Sequence, residues 1–167
     1  QKPETLEKIL DDVNTINVSL KRKVPIFIKI APDLDDSNVT EILSVCEENN
    51  VSGLIATNTT INPKTLKNPN RFEGGLSGKP LFNQSNKILR LLAKRKNAST
   101  ILIGVGGIFS ASDIYEKIKL GASAVQIYTG FVYNGPIHIK KMEMELKNLL
   151  LSDGYKSIDG AVGALIR

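Results

Sequence analysis

The run Gly104-Val105-Gly106-Gly107 follows the apolar stretch Thr100-Ile101-Leu102-Ile103 and precedes Ser110-Ala111-Ser112-Asp113, a helix-capping sequence. A strand that feeds a glycine turn and then a helix suits an anion, most often a phosphate. Glycines let the backbone approach a ligand closely, and a helix start offers free N–H groups at a positive dipole end. Tyr128-Thr129 closes the next apolar run, where a hydroxyl and an N–H can complete a phosphate cup. Lys29 stands near the end of the apolar run 25–30, where a fixed ammonium can stabilise negative charge developing on a ring. Without that role it must snorkel to solvent or pair, for instance with Asp33. Thr57-Asn58-Thr59-Thr60 ends another apolar run with four hydrogen-bonding side chains, suited to a planar ring of alternating N–H and C=O groups, or to an ordinary turn. Gly74-Gly75-Leu76-Ser77-Gly78 adds a second glycine-rich loop that lacks the context of a dinucleotide fingerprint.

The elements that must carry these residues alternate. Leu6, Ile9, Leu10 and Val13 predict an opening helix behind Pro3. A strand over 25–30 leads to a helix capped by Asp36 or Ser37, with Val39, Ile42, Leu43 and Cys46 on its apolar face. Strands over 53–57, 100–105 and 124–128 follow, with helices over 86–95 and 113–120 between the later ones. Residues 58–78 read as a long irregular segment, a length usually tied to function or disorder. An amphipathic helix carrying Ile139, Met142, Leu146 and Leu149 ends at a Gly154 turn. Four continuous apolar strands alternating with helices predict a buried parallel sheet, either half of a (β/α)8 barrel or a small open doubly wound sheet. Lys29, Asn58-Thr59, Gly106-Gly107 and Tyr128-Thr129 then fall at the ends of four successive strands. In a barrel, that end holds the active site.

Composition narrows the classes. The chain has 167 residues, too few for a complete barrel of about 250 residues. Its net charge of +5 is mild. The runs Lys21-Arg22-Lys23 and Lys94-Arg95-Lys96 are read as complements to helix C-termini, and no aromatic interleaving supports nucleic-acid binding. Cys46 is the single cysteine and reads as a core residue, so an intrachain disulfide is excluded. The single histidine, His138, lies well past the glycine loops and gives little support to Ser–His–Asp chemistry. Gln1 is an unusual first residue, so the chain is expected to be a piece of a longer protein.

Read together, Lys29-Ile30-Ala31-Pro32-Asp33-Leu34, Thr57-Asn58-Thr59-Thr60, Gly74-Gly75-Leu76-Ser77-Gly78-Lys79-Pro80-Leu81, Ile103-Gly104-Val105-Gly106-Gly107 and Gln126-Ile127-Tyr128-Thr129 resemble the dihydroorotate dehydrogenases of the quinone-using, membrane-associated class 2. The likeness runs from about residue 25 to the C-terminus with the motifs in the family's order. It implies an α/β (β/α)8 TIM barrel that binds FMN and oxidises dihydroorotate to orotate in pyrimidine (UMP) biosynthesis, with ubiquinone as electron acceptor. By the same likeness Lys29 would contact the flavin near N1 and the C2 carbonyl, and Thr57 would touch FMN. Asn58 and Thr59 would hold orotate. Ser77 and Gly78 would lie against the flavin, while Gly106, Gly107, Tyr128 and Thr129 would bind its phosphate. Another FMN barrel, such as a dihydrouridine synthase or a dihydropyrimidine dehydrogenase domain, and a stand-alone phosphate-binding module are the weaker readings. Asn58-Thr59-Thr60 beside Lys29 argues against the first.

The resemblance also shows what this chain does not carry. The family's serine base and its other orotate-binding asparagines lie upstream of the strand holding Lys29, and Ser19 sits in an unrelated context. The chain is therefore expected to supply strands five to eight, residues 1–167 forming the C-terminal half of the barrel domain. The N-terminal half, the quinone-tunnel helices and any membrane anchor would lie elsewhere. It is expected to be inactive alone and to require the missing half as a partner. The parent would sit at the mitochondrial inner membrane, or at the cytoplasmic membrane in a bacterium.

Overall fold

In the computed structural model, residues 3–62 and 74–166 are described, and the expected irregular segment after Thr60 lies partly outside them. Helix α1 (Pro3–Ser19) leads to β1 (Phe27–Ile30), α2 (Asp36–Glu48) and β2 (Gly53–Ala56). A 3-10 turn at Lys79–Leu81 runs into α3 (Phe82–Arg95), followed by β3 (Ile101–Val105), α4 (Ala111–Lys119) and β4 (Ala124–Gln126). Helix α5 (Thr129–Ser152) and the short α6 (Ile158–Ala161) complete the order.

The four strands form one parallel sheet in sequential order, β1-β2-β3-β4. The register aligns Lys29 with Ile55, Ile55 with Ile103 and Ile103 with Ala124. Side chains alternate across a strand, so Ile30, Leu54, Ala56 and Leu102 face the other way and are fully buried. They pack with Val39, Ile42, Cys46, Ile88, Leu89 and Leu92 of α2 and α3 into one core. A second core joins Ile108 and α4 to Met142, Leu146 and Leu150 of α5 and Ala161 of α6. The helices thus cover one sheet face. The opposite face carries Lys29, Ile101 and Gln126 in exposed positions. A doubly wound sheet has helices on both faces and reverses its strand order. Among the described residues this sheet does neither.

Several boundaries differ from the sequence reading. Asp35, not Asp36 or Ser37, caps α2, its carboxylate accepting the Asn38 N–H at 2.8 Å. Helix α3 starts at Phe82 instead of near Asn86, because the 3-10 turn leads directly into it without a side-chain cap. Strand β4 ends at Gln126, so Thr129 opens α5 and does not end a strand. Helix α5 is interrupted at Gly135 (φ 72°) ahead of Pro136, whose ring cannot follow a regular helical turn. The last turn of α1 carries no basic residue, so Lys21-Arg22-Lys23 lies beyond that helix. Lys94 and Arg95 do occupy the last turn of α3.

Candidate functional site

The C-terminal ends of the four strands open into one pocket. Its lining includes all ten residues singled out above: Lys29 from β1; Thr57, Asn58 and Thr59 after β2; Ser77 and Gly78 before α3; Gly106 and Gly107 after β3; Tyr128 and Thr129 at the start of α5. Lys29 is the cation among the described residues of this lining, and Asn58, Thr59 and Tyr128 are exposed toward solvent. Thr57 is buried, its hydroxyl donating to the Asn58 carbonyl at 3.0 Å. Ser77 Oγ and Thr129 Oγ1 lie 2.9 Å apart, joining the second glycine loop to the start of α5.

The glycines are steric requirements here. Gly106 and Gly107 have φ of 109° and 73°, the left-handed region that a side chain disfavours. A Cβ on Gly107 would stand 2.4 Å from Phe82 Cβ and 2.6 Å from its Cα, so this turn rests directly on the first residue of α3. Gly130 is equally confined, since a Cβ there would lie 2.2 Å from the Ile108 carbonyl oxygen. The sequence reading did not single it out, although a glycine directly after Tyr128-Thr129 is its signal.

A second set of contacts holds the Asn58-Thr59 loop. Thr60 and Leu76 exchange backbone hydrogen bonds of 3.1 and 2.7 Å, pinning this loop to the glycine-rich one. Asp33 accepts from the Thr60 hydroxyl, from the Ile61 N–H at 3.0 Å and from Gln84 Nε2 at 3.1 Å. Asp33 therefore ties the ends of β1 and β2 to α3. The sequence offered Asp33 only as a partner for Lys29.

The expected anion site at the start of α4 is corrected by the structure. Asp113 Oδ2 accepts the N–H groups of Phe109 and Ser110 at 2.9 and 3.0 Å, and Asp113 N donates to Ser110 Oγ at 3.2 Å. This capping box occupies the N–H groups of Phe109 and Ser110 with a carboxylate, so they are not free for a ligand anion. Lys79 Nζ binds both oxygens of the same carboxylate, at 2.9 and 3.0 Å. Burial alone would raise the Asp113 pKa, but these hydrogen bonds outweigh it and hold the carboxyl below its ordinary value. A helix start that does reach the pocket is Thr129-Gly130 of α5.

Other candidates fall outside the pocket. Cys46 is fully buried, and burial, reinforced by Glu47, pushes its thiol up to about 12, the behaviour of a core residue and not of a nucleophile. His138 Nε2 lies 2.8 Å from the Phe109 carbonyl oxygen and braces the β3 loop. Among the described residues no cluster of His, Cys, Asp or Glu could hold a metal, and no helix is long and apolar enough to cross a membrane.

A one-sided parallel βα sheet whose strand ends meet in a glycine-floored pocket defines part of a (β/α)8 barrel. A sequence model of the dihydroorotate dehydrogenase family matches residues 1–150, and the chain belongs to that family. It is 45% identical over 147 residues to the dihydroorotate dehydrogenase (quinone) of Christiangramia forsetii, covering 87% of this chain and 43% of that protein. It is 41% identical over 165 residues to the enzyme of the same name from Myxococcus xanthus, covering 98% of this chain and 45% of that protein. The crystal structure of Eimeria tenella DHODH in complex with ferulenol superposes with a TM-score of 0.91 at 32% identity, covering 99% of this chain and 49% of that one. The chain thus spans less than half the length of these curated relatives. Its four βα units correspond to half of a TIM barrel.

Proteins of this family are FMN-dependent flavoenzymes, and the pocket fits such a group. Among its described lining residues there is one lysine and no carboxylate, with hydroxyls on Thr57, Thr59, Ser77, Tyr128 and Thr129. That set accepts a phosphate and offers donors to ring carbonyls.

Proposed function

We propose that this chain is the cofactor-binding half of a dihydroorotate dehydrogenase (quinone), serving pyrimidine biosynthesis. The observation that carries the reading is the convergence of Lys29, Asn58-Thr59, Ser77-Gly78, Gly106-Gly107 and Tyr128-Thr129 on one pocket at the strand ends. FMN, when bound there, would supply the two-electron redox chemistry that links oxidation of dihydroorotate to orotate with reduction of ubiquinone. Lys29 would place its ammonium at the ring edge, where it could stabilise negative charge on the reduced ring. Thr57, Ser77 and Gly78 would bound the ring, while Gly106, Gly107, Tyr128 and Thr129 would receive the phosphate. Asn58 and Thr59 present an amide and a hydroxyl to orotate, oriented by the Thr59 N–H bond to Asn58 Oδ1 at 2.9 Å and by the Asp33 contacts behind them.

The serine that removes the substrate proton, the quinone passage and the membrane-associating segment belong to the N-terminal half. The assembled protein is assigned to the mitochondrial inner membrane, or to the cytoplasmic membrane in a bacterial source. The test is to purify this chain alone and together with an N-terminal segment from a matching relative. The pair should show a flavin absorbance spectrum that bleaches on adding dihydroorotate and recovers with a quinone, whereas the single chain should show no turnover. Dihydroorotate oxidation by the single chain, or a pair that never takes up flavin, overturns the proposal.

A further inference from the structure

The least expected charge in the protein lies beneath the pocket. Lys117 of α4 has no exposed surface. Its stem passes under Gly104, where a Cβ would come within 3.0 Å of Lys117 Cδ. Its ammonium donates to Ser85 Oγ at 2.8 Å and to Asn86 Oδ1 at 2.6 Å, and stands 5.1 Å from the centre of the Phe82 ring. Both hydrogen-bond acceptors are neutral. Asn86 in turn donates to Glu116 Oε1 at 2.9 Å.

The groups that hold this ammonium are the ones on which the glycine turn rests. A Cβ on Gly106 would meet Ser85 Oγ at 3.0 Å, and one on Gly107 would meet Phe82. Ser85 and Phe82 thus form a single layer between the lysine head and the Gly106-Gly107 backbone lining the pocket. Burying an ammonium without a carboxylate to receive its hydrogen bonds is unfavourable. Burial lowers the Lys117 pKa to about 8, although Glu116 and Asp113 act to raise it. A helix face that served packing alone would be better served by an apolar residue of the same length.

We infer that Lys117 is a positioning residue for the phosphate end of the cofactor, a fixed cation that acts through Ser85 and the Gly106-Gly107 turn to make the pocket select a phosphate ester over its uncharged counterpart. The inference rests on the FMN reading above. A charge held in a poorly solvated interior acts over a layer of side chains far more strongly than it does through water. Lys79, the other cation over the Phe82 ring, is already paired with Asp113, so it cannot take this role.

The test compares FMN with riboflavin, which shares the ring and ribityl chain but lacks the phosphate. Dissociation constants are measured by flavin fluorescence on the complete two-half protein after its flavin is removed. The wild type should prefer FMN strongly. Lys117→Gln, which keeps a donor toward Ser85 but loses the charge, should weaken FMN about tenfold or more while riboflavin changes less than about threefold. Ser85→Ala, the milder change, should reduce the same preference and carries the test should the lysine variant not accumulate. A merely structural lysine would weaken both flavins alike, and that result overturns the inference. So does a wild-type preference that survives unchanged in Ser85→Ala and in any Lys117→Gln protein obtained. A wild type that bound the two flavins equally would instead overturn the phosphate assignment itself, and this inference with it.

Discussion

Gly107→Ala should damage both the fold and the cofactor site, and its cost can be built up from two contributions. The residue sits at φ 73°, and holding a side chain in that region costs about 1–2 kcal/mol. The new methyl would also lie 2.4 Å from Phe82 Cβ, 2.6 Å from its Cα and 2.8 Å from its backbone nitrogen. Two of these are main-chain atoms, so no flexible side-chain tip can yield, and overpacking of this kind adds about 1–3 kcal/mol. The sum is about 2–5 kcal/mol, or relief by displacement of the turn. Gly154→Ala provides the control, because Gly154 has a similar φ of 82° with open space around its Cβ direction. It should lose only the strain contribution of about 1–2 kcal/mol. Urea denaturation of the two variants measures the difference as a shift in midpoint at unchanged slope, and FMN binding should fall in Gly107→Ala alone. Equal midpoints for the two variants, or full FMN affinity in Gly107→Ala, would refute the claim that the turn is wedged against α3.

Two further outcomes follow from the hydrogen bonds around the pocket. Asp33→Ala frees the Thr60 hydroxyl, the Ile61 N–H and the Gln84 amide. Charge-assisted bonds contribute about 1.5–3 kcal/mol each, so orotate binding by calorimetry should weaken about tenfold or more; an unchanged affinity would sever Asp33 from the substrate loop. Asp113 has a folded-state pKa below its unfolded value of 3.8, so its stabilisation is present above that value and is lost as pH falls through the lower folded one. The stability gap between wild type and Asp113→Asn should therefore be full at neutral pH and narrow steadily below pH 3.8, and a gap constant with pH would refute this.

The order of strands and helices was legible because buried parallel strands read as unbroken apolar runs. Which strand ends would converge was legible for the same reason: Lys29, Thr57-Asn58-Thr59, Gly106-Gly107 and Tyr128-Thr129 sat at or just past the ends of such runs. Boundaries were harder. Helix α3 begins on Phe82 with no capping side chain, so nothing in Phe82-Asn83-Gln84-Ser85 marks its first turn, and the sequence pattern places the helix only from Asn86. Residues 124–128 looked uniformly strand-like, yet pairing with β3 ends at Gln126 and the chain turns into α5. The closed start of α4 could have been anticipated, since Ser110 followed three residues later by Asp113 is the pattern of a capping box. Lys117 could not. In sequence it is one of two lysines on a charged helix, and Gly104, from β3, makes room for it to be buried. The link from Asp33 to Thr60 spans 27 positions and is likewise set by the tertiary fold alone.

The junction between β3 and β4 has a mechanical meaning. Only three residues of each strand pair across it, against four at each of the other two junctions, and it lies where the two hydrophobic cores meet. Under tension or partial melting this is the seam at which the sheet should part first. The Gly106-Gly107 turn stands on one lip of that seam and Thr129 on the other. An anion gripped by both lips would act as a rivet beside the bonds of Lys117 and Glu116 to Ser85 and Asn86, so that losing it should loosen the join between the two packing units.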